Sequence, residues 1–253
     1  GFGVGNTTHA ATLHASVSRV EVADLSRNIL GHAGYFADAN RNVLTSPKVS
    51  VFINDGRMHL QMASQRTYDL ITLEPPPIAQ AGVASLYSRE FYELAKSRLK
   101  DGGYVSQWLP AYQVPAESSL AMVRAFVEVF PQAVLLSGTQ AELILLGTRV
   151  TRALAGDGPV RDDLAGVELG SPREIAAMFV GSADTMTRAT LEAQALSDDR
   201  PIQEYGVLST LTTGLMGVPA GLFELSAAPS WCPRCYAGGA IAPSVAGLDL
   251  HFA

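Results

Sequence analysis

"YDLITLEPPP", residues 68–77, is an apolar, strand-like run that meets one acid, Glu74, and then three prolines. Tyr, Leu, Ile and Thr suit a pleated, buried strand. Proline has no N–H to give to a ladder, so the strand stops at Glu74. A carboxylate at that point has two readings. It is either a strand end reaching solvent ahead of a stiff loop, or an acid held at the carboxyl edge of a parallel sheet. That edge is where α/β folds place their chemistry. The elements on either side decide between the two.

Upstream, "SRVEVAD" (18–24) and "KVSVFIND" (48–55) read as strands, whereas "NTTHAATLHA" (6–15), "SRNILGHAGYFAD" (26–38) and "GRMHLQMASQ" (56–65) have helical spacing. Asn6 or Thr7 is the expected cap of the first helix. Downstream, Ser88 is placed to cap "REFYELAKSRL" (89–99), which Asp101-Gly102-Gly103 is expected to end. "YVSQWL" (104–109) follows as a strand and "AESSLAMVRAFVEVF" (116–130) as a helix. "AVLLS" (133–137) and "ELILLG" (142–147) then stand only a few residues apart. That gap is too short for a helical crossover, so the pair must be an antiparallel hairpin.

Strands alternating with helices imply a parallel sheet with right-handed crossovers. With a closing hairpin, this is the α/β arrangement of the class I S-adenosylmethionine-dependent methyltransferase-like (Rossmann-like) fold, expected over residues 1–149. The chain opens on Gly1 inside a glycine-rich turn, with no Met and no strand before it. A first strand is therefore expected earlier in the natural protein. Residues 150–253 have weaker periodicity and more Gly, Asp and Ala, and read as a helical and irregular extension packed on the sheet domain. Within them "SPRE" (171–174) is a capping box that starts at least one helix.

The composition is that of a globular protein: 253 residues, 47% apolar and 17% charged. A formal charge of −6 argues against nucleic acid and fits only weakly with a cationic substrate, since many proteins without one are equally acidic. No run is apolar and long enough for a convincing membrane span; residues 205–223 come nearest, interrupted by Gly, Thr and Pro. The expected location is cytoplasmic, or the cytoplasmic face of a membrane if the natural chain carries N-terminal spans. The only cysteines, Cys232 and Cys235 in "WCPRCY", supply half a zinc site. A local disulfide or structural thiol pair ranks first for them, then metal shared with a partner, then dithiol catalysis. His9, His14, His32, His59 and His251 show no metal spacing, so no metal is expected.

"GFGVG" (1–5) puts glycines at alternate positions before a helix start, a turn that lets backbone approach a ligand. Asp24 ends the next strand about 20 residues on, where an acid can accept from both hydroxyls of a ribose. Asp55-Gly56 ends the following strand, where an acid can bind the exocyclic amine of adenine. Each acid alone is more often a helix cap. Three such features at successive strand ends favour a nucleoside-bearing cofactor.

The glycine loop, Asp24, "YF" (35–36), "NDGR" (54–57), "YDLITLEPPP", "LYSREFY" (86–92) and "GGYVSQWLP" (102–110) occur in that order. Together they resemble the spermidine synthases, the polyamine aminopropyltransferases, and most of all the spermidine synthase-like domains of fused transporter proteins. A further echo lies in "DDRPIQEY" (198–205). The resemblance implies that Gly1, Gly3 and Gly5 cradle decarboxylated S-adenosylmethionine as co-substrate. It implies that Asp24 holds the ribose and that Asp55 and Gly56 hold the adenine. Glu74 falls where the family places its catalytic aspartate, the base for attack by an amine or polyamine acceptor. Tyr87 and Gln107 fall near the substrate pocket, and a packed Tyr and a hydrogen-bonded strand Gln are the alternatives. Asp198, Asp199 and Glu204 would line a polyamine channel, against a salt-bridged turn around Arg200. A homo-oligomer and an N-terminal membrane segment remain open.

The chain departs from the family at three places. Val4 stands where the family's loop carries an aspartate for the donor's ammonium. Pro75-Pro76-Pro77 replaces the stretch that bears a second, diamine-binding acid. Glu74 replaces an aspartate. Two other readings therefore stand beside aminopropyl transfer: a methyltransferase using S-adenosylmethionine itself, and a non-catalytic nucleoside-binding domain.

Overall fold

The computed structural model describes residues 1–75, 80–138, 142–150, 178–202, 204 and 218–224. The capping box at 171–174, Cys232, Cys235, His251 and the last two prolines of the triplet lie outside these residues. The chain divides into two compact units, one built from residues 1–63 and one from the described residues after them. Among the described residues no helix is long and apolar enough to cross a membrane.

In the first unit, α1 (Asn6–Leu13) starts from Gly5, whose φ of 92° is left-handed, and no side chain caps it. The cap expected from Asn6 or Thr7 is thus supplied by a backbone conformation that glycine adopts without strain. Strands β1 (Val20–Asp24) and β2 (Val49–Ile53) pair in parallel from Val20↔Val49 to Asp24↔Ile53. The helix expected over 26–38 is broken into α2 (Arg27–Gly31), a 3-10 turn (Ala33–Phe36) and α3 (Ala37–Asn40). Gly31 and Gly34 lie in that span, and glycine is a poor helix former. Helix α4 (Gly56–Met62) follows β2. Phe2, Val22 and Val43 make the core, with Val20, Leu30 and Val49 packed against it.

The second unit holds β3 (Tyr68–Leu73), β4 (Leu99–Leu109), β5 (Val134–Ser137), β6 (Leu143–Thr148) and β7 (Phe179–Ser182) in the order β3-β4-β6-β5-β7. Only β3 and β4 are parallel; β6 returns antiparallel to β4, and β5 pairs antiparallel with β6, as the short connection requires. The parallel strands read as one sheet are carried in two, β1-β2 and the five-stranded sheet. Strand β7 is an addition to the expected pattern. It pairs antiparallel with β5 from a stretch read as helical or irregular.

Asp101-Gly102-Gly103, read as a helix stop, lies inside β4 instead. Tyr68 pairs with Leu99 but Leu70 with Tyr104, so β4 bulges between them, with Gly102 at φ 80°. A Cβ on Gly103 would stand 3.0 Å from the Tyr68 carbonyl, so the bulge needs glycine for strand contact.

Helix α5 (Arg89–Arg98) begins at Ser88, whose hydroxyl accepts from the Phe91 N–H. It buries Phe91, Tyr92 and Ala95 along one face, with Glu90 in its first turn and Lys96 and Arg98 in its last. Helix α6 (Ala116–Val129) is buried over most of its circumference, between the sheet, α5 and α7 (Ala183–Ala189). Tyr92, Phe126 and Phe130 stack edge-on and tilted, with centroids 4.8–6.5 Å apart. All three are fully buried, and Phe126 and Phe130 each contribute on the order of 1.5–3 kcal/mol, whereas the Tyr92 hydroxyl has no partner and offsets much of its ring's gain.

This aromatic cluster presses on β6 at Gly147, where a Cβ would lie 2.6 Å from Phe130 Cγ and 2.9 Å from Phe126 Cζ. Gly147→Ala is therefore expected to destabilise the protein by about 1–3 kcal/mol through overpacking. Urea unfolding measures it, and a variant as stable as the wild type would contradict the packing described.

Candidate active site

Asp24 is nearly buried at the end of β1. Its Oδ2 accepts from the Phe2 N–H at 2.6 Å and its Oδ1 from the Ser26 N–H at 2.7 Å. The carboxylate thus ties the glycine turn to the strand end. Two of its roughly four lone-pair positions remain for a ligand. The glycines differ in what they do. Gly5 sits so close to the Phe2 ring that a Cβ would meet it at 2.5 Å, whereas nothing lies within 4 Å of a Cβ on Gly3, at φ 55°. Gly5 serves packing, and Gly3 offers open backbone. A Cβ on Gly1 would lie 3.6 Å from Asp24 Oδ2.

Asp55 lies two residues past Ile53, the register partner of Asp24, so the two acids stand at the carboxyl ends of neighbouring parallel strands. Asp55 Oδ1 accepts from the Met58 N–H at 2.8 Å and caps α4. A Cβ on Gly56 would have open space around it. Val4 is exposed, and its carbonyl accepts from Asn40 Nδ2.

In the second unit, Glu74 follows the last residue of β3 and is exposed, and no hydrogen bond or ion pair reaches its carboxylate among the described residues. Tyr87 and Gln107 are fully buried. Gln107 pairs with Leu73 in the β3–β4 ladder, one residue before Glu74. Its Nε2 donates to the Trp108 carbonyl, but Oε1 has no partner, and neither does Tyr87 Oη. Burial pushes the Tyr87 phenol far above the ordinary tyrosine range. The nearby Gln107 side chain pulls the other way and the Glu74 charge adds to the rise. The Tyr87–Gln107 approach lacks hydrogen-bond geometry, so both polar atoms stay unsatisfied. Buried polar groups in native proteins almost always have a partner. Two orphans beside an unpaired carboxylate mark a place for a polar guest.

Sequence reading missed one further acid. Glu142, just before β6, accepts from the Trp108 indole N–H and from Tyr112 Oη. Its signal was the Trp that follows Gln107 in "SQWLP", but the partner is set by strand register. Asp198 and Glu204, read from sequence as channel residues, are engaged with distant segments: the Asp198 N–H donates to Glu90, and Glu204 accepts from the Gly82 N–H. Asp199 lies in the turn that the Ser197–Arg200 backbone bridge closes. Arg200 makes no ion pair among the described residues. It helps line a cavity of about 550 Å³ with Glu117, Leu120, Arg188, Glu192 and Ile202. None of the site residues read from sequence faces that cavity.

Residues 1–137 match the spermine/spermidine synthase domain family. The chain belongs to this family. The polyamine aminopropyltransferase 2 of Pseudomonas aeruginosa is 32% identical over 143 residues, covering 52% of this chain and 38% of that protein. The polyamine aminopropyltransferase of Nitrosomonas europaea is 29% identical over 181 residues, covering 67% of this chain and 51% of that protein. The chain thus spans about half or less of the length of these spermidine synthase-family relatives. The spermidine synthase structure from Thermotoga maritima aligns with 60% of this chain and 53% of its own at 17% identity, with a TM-score of 0.49. The α/β class and the closing antiparallel hairpin expected from element order are present among the described residues.

Asp24→Ala removes the acceptor of two backbone N–H groups and is expected to lower stability by roughly 1.5–3 kcal/mol. Hydrogen exchange should show lost protection at the Phe2 and Ser26 amides, and unchanged protection would contradict the tie. Tyr87→Phe is expected to leave unfolding free energy unchanged or raise it by about 1 kcal/mol, because the deleted hydroxyl has no partner to lose. A clear loss of stability in urea titration would show that the hydroxyl is bonded after all.

Proposed function

We propose that this chain moves an aminopropyl group from decarboxylated S-adenosylmethionine to an amine or polyamine acceptor. The observation that carries the reading is Glu74: an exposed carboxylate just past the end of β3, without a partner among the described residues, beside the unsatisfied Tyr87 and Gln107. In the reaction the acceptor nitrogen's lone pair forms a bond to the carbon beside the sulfonium. The carbon–sulfur bond breaks with its electron pair going to sulfur, and methylthioadenosine leaves. The attacking amine must shed a proton, and Glu74 takes it. The same charge favours the cationic sulfonium and ammonium. Tyr87, kept as a neutral phenol by burial, and Gln107 orient the acceptor.

The donor's nucleoside is assigned to Gly1, Gly3, Gly5, Asp24, Asp55 and Gly56. The open backbone at Gly3 and the remaining lone pairs of Asp24 fit that role. A methyltransferase acting on S-adenosylmethionine itself is the second reading. Val4 favours it, because the loop lacks an acid for the donor's aminopropyl ammonium.

Glu74→Gln is expected to keep the fold and donor affinity while turnover falls about 10²–10⁴-fold. The defect should shrink as pH rises, because more of the acceptor amine then loses its proton without a base. Steady-state rates across the alkaline range check both points. Equal turnover at every pH would leave Glu74 as a mere strand-end charge.

A further inference from the structure

We propose that Glu142, held between Trp108 and Tyr112, is an ammonium subsite for the far end of an extended, multiply charged acceptor; this rests on the aminopropyl-transfer reading above. The Trp108 indole N–H donates to Glu142 Oε2 and Tyr112 Oη donates to Oε1 at 3.2 Å. Gln113 Nε2 in turn donates to Tyr112 Oη at 3.2 Å and fixes the phenol. Both donors to the carboxylate are neutral, and no cation pairs with Glu142 among the described residues. The charge is therefore positioned but not neutralised, and about half of its lone-pair sites remain open. The two rings stand edge to face with centroids 6.2 Å apart, and both side chains are partly exposed. A carboxylate positioned by two neutral donors and left unneutralised can give an alkylammonium group charge-assisted hydrogen bonds.

The sheet register places this cluster on the edge that carries Glu74. Leu73 pairs with Gln107, Trp108 with Ile144 and Leu109 with Leu143. Glu74 is one residue past Leu73, Trp108 one past Gln107, and Glu142 one before Leu143. Acid, aromatic and acid thus stand just past β3, near the end of β4 and just before β6, three neighbouring strands. Two inter-strand spacings separate the backbones of the acids by about 10 Å. Pro75, just after Glu74, carries no charge. Glu142 therefore offers a second charge two strands along the edge, a spacing that suits acceptors carrying two separated ammonium groups.

If Glu142 were only a tie holding the hairpin to β4, its charge would not matter. Glu142→Gln keeps an acceptor for Trp108 and a polar partner for Tyr112 but removes the charge. The test compares the wild type and Glu142→Gln with spermidine and with n-butylamine as acceptors, at fixed ionic strength. The expected result is a KM for spermidine about 10–100-fold higher in the variant, with the KM for n-butylamine in place. Equal shifts for both amines, or no shift, would overturn the subsite. Calorimetric titration of spermidine into both proteins separates this from failure of the reaction itself. Spermidine affinity that falls in the variant supports the subsite even where no aminopropyl transfer is found, and affinity unchanged by the substitution refutes it.

Discussion

The antiparallel return of β6 along β4, from Tyr104↔Thr148 to Leu109↔Leu143, is the pairing on which the second unit depends. Parallel strands such as β3 and β4 present only their carboxyl ends at one edge. An antiparallel neighbour brings its beginning to that same edge, and so a residue just before β6 can face residues just after β4. The pairing is locked at its far end. Thr148 Oγ1 donates to the Gly103 carbonyl, Arg149 donates to the Leu99 carbonyl, and Gly147 admits the Phe126 and Phe130 rings. A slip of one residue would turn every side chain of β6 to the opposite face.

Electrostatics then separates the acids by role. Asp24 and Asp55 are committed to backbone N–H groups, one as a tie for the glycine turn and one as a helix cap. Each keeps unused lone pairs, so the structural role leaves room for the proposed ligand role in the same carboxylate. Glu74 and Glu142 have no cationic partner among the described residues. Surface acids that pair with nearby arginines, such as Glu128 with Arg124, show the ordinary alternative. Unneutralised carboxylates at a sheet edge attract cations, which fits the proposed amine acceptor.

Much of this was legible in the sequence wherever a local rule sufficed. The prolines after Glu74 ended β3, the short gap at Gly138 forced a hairpin, and Ser88 capped α5. The misreadings came where one signal has two meanings. Asp101-Gly102-Gly103 has the composition of a helix stop but makes a bulge, because the adjacent backbone of β3 leaves no room for a Cβ. Asn6 and Thr7 are good capping residues, yet the left-handed Gly5 starts α1 without them. Strand β7 has four residues at a sheet edge, too few for an alternating pattern to stand out. The orphaned atoms of Tyr87 and Gln107 and the clasp on Glu142 depend on register and packing between distant segments. No spacing in the chain announces them.

The central claim is that the edge bearing Glu74 performs aminopropyl transfer rather than methyl transfer or binding alone. Mass spectrometry of the products tests it most directly, with the protein, an amine acceptor and both decarboxylated and ordinary S-adenosylmethionine supplied. The account predicts methylthioadenosine together with an acceptor enlarged by one aminopropyl group, formed from the decarboxylated donor. S-adenosylhomocysteine with a methylated product, or both donors recovered unchanged, would contradict it.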